Sequence, residues 1–234
     1  MATLKAVTFD CAQTLIAVDW RPAVLAVECA IGIGLKFNES EAAQAYDNLL
    51  RSRWTEFQDL NLLRNEEETD AFWHRMSLDW AEACGFPSTK VAEIVALAEE
   101  KLFGQDSAVF SVFSDVVPTL KTLKSRGLKL AVVSNWDISL HKTLRIFGLS
   151  EYFDVVVASM EEGFEKPDPR LFRVALDKLG VEPHEAVHVG DNPLDDLKGA
   201  KSVGMKAFVI DRGPHSAANI YLSSLTELPE KLGL

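Results

Sequence analysis

Val7-Thr8-Phe9-Asp10-Cys11-Ala12-Gln13-Thr14-Leu15 joins the first apolar run of the chain to a polar turn. An apolar, β-prone run over residues 4–9 gives way at once to a carboxylate, small residues and a hydroxyl, as a buried strand does when it ends at a site. A lone Asp after a strand is equally a turn cap. Three later segments repeat the construction: residues 128–133 end at Ser134-Asn135, 152–158 lead to Gly163-Phe164-Glu165-Lys166-Pro167, and 186–189 end at Gly190-Asp191-Asn192. In a parallel α/β sheet all strand C-termini open on one edge, so Asp10, Ser134, Lys166 and Asp191 are expected to converge. Two carboxylates, a hydroxyl and an ammonium in one crevice can hold a divalent cation and a phosphoryl group together.

After Leu15 the hydrophobic period changes. Residues 22–31, 39–57, 66–83 and 89–103 carry apolar side chains at three and four spacing, with no convincing strand between them. Asn38 with Glu41, and Asn65 with Glu68, resemble capping boxes; Ser88 is placed to cap the last of these helices and Gly104 to end it. From Ser134 onward the polar strand ends recur at intervals of roughly 20 to 35 residues, the ordinary βα spacing. By contrast, 124 residues separate Asp10 from Ser134. The excess is a helical insertion, giving a core of residues 1–17 and 105–234 interrupted by 18–104. Further helices are expected over 115–127 and 137–147, and after Asp168-Pro169 and Asn192-Pro193, where a capping side chain precedes proline at the first helical position. Residues 206–210 read as a final strand before a polar loop, and Pro167 restrains Lys166 just outside the helix that follows it.

With 234 residues the chain suits one large domain with an insertion, or two domains, and 47% hydrophobic residues suffice for a core. Lys and Arg number 24 against 35 Asp and Glu, a net charge of −11 without a basic cluster, which argues against nucleic acid or an anionic membrane as partner. Cys11, Cys29 and Cys84 are odd in number and not spaced as a metal motif, which suits a reducing compartment. No apolar run reaches membrane-spanning length, and the first strand begins too early for a signal peptide, so the expectation is a cytosolic protein, monomer or homodimer.

Asp10 to Thr14, Ser134-Asn135, Lys166-Pro167-Asp168-Pro169 and the run from Gly190 to Ala200 resemble, in order, the four motifs of the haloacid dehalogenase-like (HAD) hydrolase superfamily. The resemblance spans nearly the whole chain. It implies a Rossmann-like parallel sheet core with an inserted α-helical cap that closes over the site. It also implies a small phosphorylated substrate, Mg²⁺ as cofactor, and Asp10 as the nucleophile that forms an aspartyl-phosphate. Lys166 would neutralise developing charge; Thr14, Ser134 and Asn135 would bind or orient the phosphorylated substrate. Asp10, Asp191 and the backbone carbonyl of Ala12 would hold the metal. Of Asp195 and Asp196, both expected in the first turn of a helix where acidic residues also suit the dipole, the family pattern favours Asp196 as metal support.

Ala12 is the informative departure. Active phosphatases of the superfamily carry a second Asp there, which protonates the leaving oxygen and then activates water. General acid-base catalysis contributes about 10²- to 10⁴-fold, so an ordinary phosphomonoester should turn over poorly. Gln13 stands where the family commonly has Gly. The phosphonatase branch shares the alanine but needs a cap lysine, whereas residues 37–89 hold Arg51, Arg53, Arg64 and Arg75 and no lysine. The dehalogenase branch lacks the pair seen at Gly190-Asp191. The main reading is therefore a Mg²⁺-dependent phosphatase-like hydrolase weakened at Ala12. The alternatives are a phosphate-binding or regulatory protein without turnover, and a hydrolase of carbon–halogen or carbon–phosphorus bonds. Trp20, Trp54, Trp73 and Trp80 are expected to serve the helical core; Arg51, Arg53, His74 and Arg75 could reach substrate or lie on solvated faces.

Overall fold

The computed structural model describes residues 3–104, 107, 109–213 and 220–234. Its main sheet uses β1 (Ala6–Phe9), while β2 (Ile16–Val18) and β3 (Phe110–Val112) form a separate two-stranded ribbon. The sheet continues with β4 (Lys129–Ser134), β5 (Val155–Ala158), β6 (Ala186–Gly190), β7 (Lys206–Ile210) and β8 (Tyr221–Leu222), in the order β5-β4-β1-β6-β7-β8. Every pairing in it is parallel. Each residue of β1 and of β6 is buried, the continuous burial that a parallel sheet covered on both faces requires. β1 lies between β4 and β6, with Phe9 in register with Val132 on one side and Val189 on the other. Asp10, Ser134 and Asp191 therefore leave the sheet at one edge, where the strand order reverses.

The chain divides into two compact units, Met1–Ala17 with Val112–Leu234, and Val18–Ser111. The core boundary expected at residue 105 lies outside the described residues, as does most of the polar loop expected after Ile210. β7 is not the final strand: β8 follows and pairs with it through Val209 and Tyr221, a two-residue extension too short to register as a sequence period.

In the sheet unit, helix Pro169–Leu179 starts at Asp168, whose side chain accepts the Arg170 N–H, and ends at Gly180 in the left-handed conformation. It buries Leu171, Phe172, Ala175, Leu176 and Leu179 against β4 and β5, at about 1.5–3 kcal/mol for each large side chain. Gly199 is required here: a methyl group at its position would press to 2.6 Å from the Phe172 ring and 3.2 Å from Pro167 Cα. The close approach seats the Lys166-Pro167 segment, whose joining peptide is cis.

The helical unit comprises helices Pro22–Gly32, Glu39–Ser52, Trp54–Leu62, Glu66–Ala83 and Val91–Phe103. Asn38 and Asn65 each accept two backbone N–H bonds as N-caps, but neither cap is a capping box: the reciprocal bonds expected from Glu41 and Glu68 are not formed. Two further expectations are corrected. The helix read over 39–57 is broken at Arg53, where the backbone leaves the helical region while the apolar spacing runs on through Trp54 and Phe57. Ser88 makes no cap bond; it opens a tight turn, Ser88–Lys90, that leads straight into the last helix. Trp80 is buried and donates its indole N–H to the Ala42 carbonyl at 2.8 Å. Trp73 packs among Trp20, Phe57 and Phe72, while Trp20 and Trp54 remain substantially exposed.

Candidate active site

Within the sheet unit, the candidate residues come from loops at the C-terminal ends of β1, β4 and β6 and from the segment before helix Pro169–Leu179. The turn after β1 is closed by the Cys11 carbonyl, which accepts from the N–H groups of Thr14, Leu15 and Ile16. Gln13 takes φ +56°, so a side chain sits where the turn favours glycine, at a cost of about 1–2 kcal/mol. Cys11 is fully buried and its thiol is pushed well above its ordinary value by burial and by the Asp10 carboxylate, which leaves it a packing residue.

Asp10 receives two bonds on the same oxygen. Ser134 Oγ donates to Oδ1 at 2.7 Å, and Lys166 Nζ lies 2.7 Å from it. The ammonium also meets Asp196 Oδ1 at 2.6 Å. Burial alone would push Lys166 down, but the Asp10 and Asp196 carboxylates outweigh it and hold the ammonium charged. Asn135 turns its amide onto the backbone of this lysine, accepting from the Lys166 N–H at 2.7 Å and donating to its carbonyl at 3.0 Å. In this arrangement Asn135 is a clamp on Lys166.

The loop after β6 supplies the remaining carboxylates. Asn192 accepts from the N–H groups of Leu194 and Asp195, capping a π-helical turn, Pro193–Lys198, in place of the plain helix expected there. The turn sends Asp196 inward to full burial and leaves Asp195 at its rim, bonded to the Asn192 amide. Asp196 Oδ2 accepts the Asn192 N–H, and Oδ1 lies 3.1 Å from His188 Nε2 as well as against Lys166. Burial opposes ionisation of Asp196, yet the His188 bond and the Lys166 charge more than compensate and drive it well below the carboxylate range. Gly190 fits because a methyl group there would overlap the Asp196 carboxylate.

Asp191 is half-buried and pushed up to about 6 by burial and by the Asp10 and Asp196 charges, with Thr14 Oγ1 3.4 Å from its Oδ1. Asp10, Asp191 and Asp196 each bring a carboxylate oxygen within 4.8 Å of the others, a donor set that can hold a metal ion. Ala12 lies on the same turn, bridged to Ile16, and presents only a methyl group. Beside Asp191 a cavity of about 620 Å³ opens between Gln13, Phe113, Pro193, Arg212 and Tyr221.

Two features of this architecture are absent from the sequence reading. His188 and its partner Thr8 are one. Arg212 is the other: it stacks on Phe113, donates to the Thr14 carbonyl at 2.9 Å and pairs with Asp115. A histidine inside the otherwise apolar Ala186-Val187-His188-Val189 run is the sequence signal that could have found the first.

The model of haloacid dehalogenase-like hydrolases matches residues 4–204. The chain belongs to this family. It is 34% identical over 209 residues to mouse haloacid dehalogenase-like hydrolase domain-containing protein 3, covering 88% of this chain and 82% of that one. It is 36% identical over 132 residues to a phosphoserine phosphatase of Thermus thermophilus, covering 54% and 53%. Among solved structures, 2-haloacid dehalogenase of Pseudomonas syringae pv. Tomato superposes with a TM-score of 0.67 at 28% identity, covering 99% of both chains. HAD-family relatives thus include proteins named for phosphate-ester and for carbon–halogen hydrolysis. Among the described residues, no helix is long and apolar enough to cross a membrane.

Proposed function

We propose that this HAD-family hydrolase is a Mg²⁺-dependent, phosphatase-like enzyme acting on a small phosphorylated metabolite, with Asp10 as nucleophile and turnover limited at Ala12. One observation carries the reading: the Asp10 carboxylate is oriented through Oδ1 by Ser134 and Lys166 while Asp191 and Asp196 stand within a cation's reach of it. Asp10 attacks phosphorus, the bond to the leaving oxygen breaks and that oxygen departs with the electron pair; water then cleaves the aspartyl-phosphate. Lys166 stabilises charge on the phosphoryl oxygens, and the Ser134 and Thr14 hydroxyls, directed here at Asp10 and Asp191, turn to donate to those oxygens when substrate enters. Asp10, Asp191 and the Ala12 carbonyl, supported by Asp196, are the residues that would hold Mg²⁺. When bound, the ion supplies charge neutralisation to the phosphoryl group.

The methyl group of Ala12 can neither protonate the leaving oxygen nor activate water. The substrates that suit this site have leaving groups stable as anions, such as aryl, enol or acyl phosphates. The same alanine favours a second reading, a phosphate-binding protein without turnover. Carbon–halogen hydrolysis is the third, supported by the structural likeness to a dehalogenase and opposed by the three-carboxylate cluster.

Time-resolved release of p-nitrophenol from p-nitrophenyl phosphate, with Mg²⁺ and with chelator, separates these. The expected result is a Mg²⁺-dependent burst near one equivalent, slow turnover after it, and faster turnover in Ala12→Asp. No release from either protein at any Mg²⁺ concentration rejects the phosphatase reading. Halide release from a 2-haloacid in chelator establishes the third.

A further inference from the structure

β6 is buried along its whole length, so a histidine within it must satisfy two ring nitrogens or bear their desolvation. Thr8 stands in register with His188 on neighbouring β1, with its Oγ1 2.7 Å from Nδ1. Nε2 lies 3.1 Å from Asp196 Oδ1. Phe172 packs edge-on against the imidazole at a centroid separation of 5.1 Å, which fixes the ring plane. Thr8, His188 and Asp196 are at most 1% exposed. An ionised carboxylate only accepts, so Nε2 carries the hydrogen whether the ring is neutral or charged. In the neutral ring the Thr8 hydroxyl donates to Nδ1 and selects that tautomer.

We propose that Thr8 and His188 form a positioning relay, which fixes the Asp196 carboxylate and through it holds the Lys166 ammonium against Asp10. The proposal rests on the phosphoryl-transfer reading above and adds residues to it. His188 is placed behind Asp196 and acts through it. Without Nε2–H, Asp196 keeps one bond on each oxygen, to Lys166 and to the Asn192 N–H, but loses the third partner, the one on a rigid strand, that holds its carboxylate in place. Lys166 would follow it, because Asp10 and Asp196 share the same ammonium.

Three variants test this. His188→Phe keeps the packing on Phe172 and removes both nitrogens; His188→Gln retains an amide N–H that can reach Asp196; Thr8→Val removes only the tautomer lock. The readouts are Mg²⁺ half-saturation measured by thermal shift, steady-state kcat and KM for p-nitrophenyl phosphate, and crystal structures of wild type and His188→Phe. Partners that orient metal-binding carboxylates are worth about 10- to 100-fold in metal affinity. Half-saturation should rise by about that factor in His188→Phe, less in Thr8→Val, and return to within about threefold of wild type in His188→Gln. Lower thermal stability with unchanged Mg²⁺ half-saturation in both Phe and Val variants would make the pair merely structural and overturn the relay. Should wild type itself show no Mg²⁺ effect, the cation reading falls separately, and the crystal structures decide. A turned Asp196 with a broken Lys166–Asp10 contact supports the relay; an unmoved carboxylate overturns it. If His188→Phe does not fold, the same comparison is made with Thr8→Val.

Discussion

In the sheet unit, Asp10, Ser134, Lys166, His188 and Asp196 are buried and bonded to one another across loops and strands far apart in sequence. In the helical unit, the buried polar side chains Asn61 and Thr69 each bond to the carbonyl four residues earlier in the chain. Its charged groups pair near the surface, as in Arg53 with Asp79, Arg75 with Glu56 and Lys90 with Glu93. Burying a charge is costly unless it is paired and hydrogen-bonded, and an apolar core of equal volume is commonly as stable or more so. A fold therefore gains little stability by building such a network. Among the described residues the buried charged network formed by these contacts lies in the sheet unit, where the proposed chemistry needs it.

The sharpest way to break this contrast is to remove the central cation. Lys166→Met leaves Asp10 and Asp196 buried against each other without their shared ammonium, and should cost about 3–5 kcal/mol in urea unfolding with chelator present. Divalent cation should recover part of the loss. A change below 1 kcal/mol would mean that the network is far less coupled than its distances imply.

Asp115 offers a smaller effect with a pH signature. Although it begins helix Val116–Ser125, its carboxylate makes no cap bond and instead joins Arg212, Ser224 Oγ and the Leu225 N–H. Burial opposes its ionisation, but these partners outweigh that and hold it below the ordinary carboxylate value. A depressed carboxyl stabilises the fold above its unfolded value and loses that contribution as pH falls through the folded one. Asp115→Asn should cost about 1.5–3 kcal/mol at neutral pH, toward the low end for a partly exposed group. The gap to wild type should close below about pH 4. A gap independent of pH would assign the loss to packing.

The helical unit should respond least to changes of charge. Asn65→Ala removes a cap that accepts from Glu67 and Glu68, an expected loss of about 1 kcal/mol in thermal unfolding. Arg75→Ala breaks an exposed pair with Glu56 and should fall within about 0.5 kcal/mol of wild type. A larger loss for Arg75 than for Asn65 would reverse the contrast.

The sheet was legible because buried parallel strands are written as apolar runs, and their polar ends fall one after another in sequence. Lys166 and Asp168 were legible through the prolines beside them, and Asp10 through the abrupt change at the end of its strand. The Arg53 break was not, because a kink of one residue leaves apolar spacing intact. Periodicity does not separate Asp195 from Asp196; the family pattern favours Asp196, and the π-helical turn, a matter of hydrogen-bond register, supplies the physical reason that it is the buried one. Asp115 looked like a helix start; its partners Arg212 and Ser224 lie roughly a hundred residues away. His188 was hidden in a run of valines, where only the register with Thr8 gives it meaning.

A covalent phosphoryl intermediate on Asp10 is the step proposed for this buried network. Its most direct test is rapid acid quench of wild-type protein with a radiolabelled aryl phosphate and Mg²⁺, followed by borohydride reduction and peptide mass mapping. Label should be held by the protein during the burst and Asp10 should be converted to homoserine, with neither in Asp10→Asn. Release of the aryl group without labelled protein, or reduction mapping to any residue other than Asp10, would contradict it.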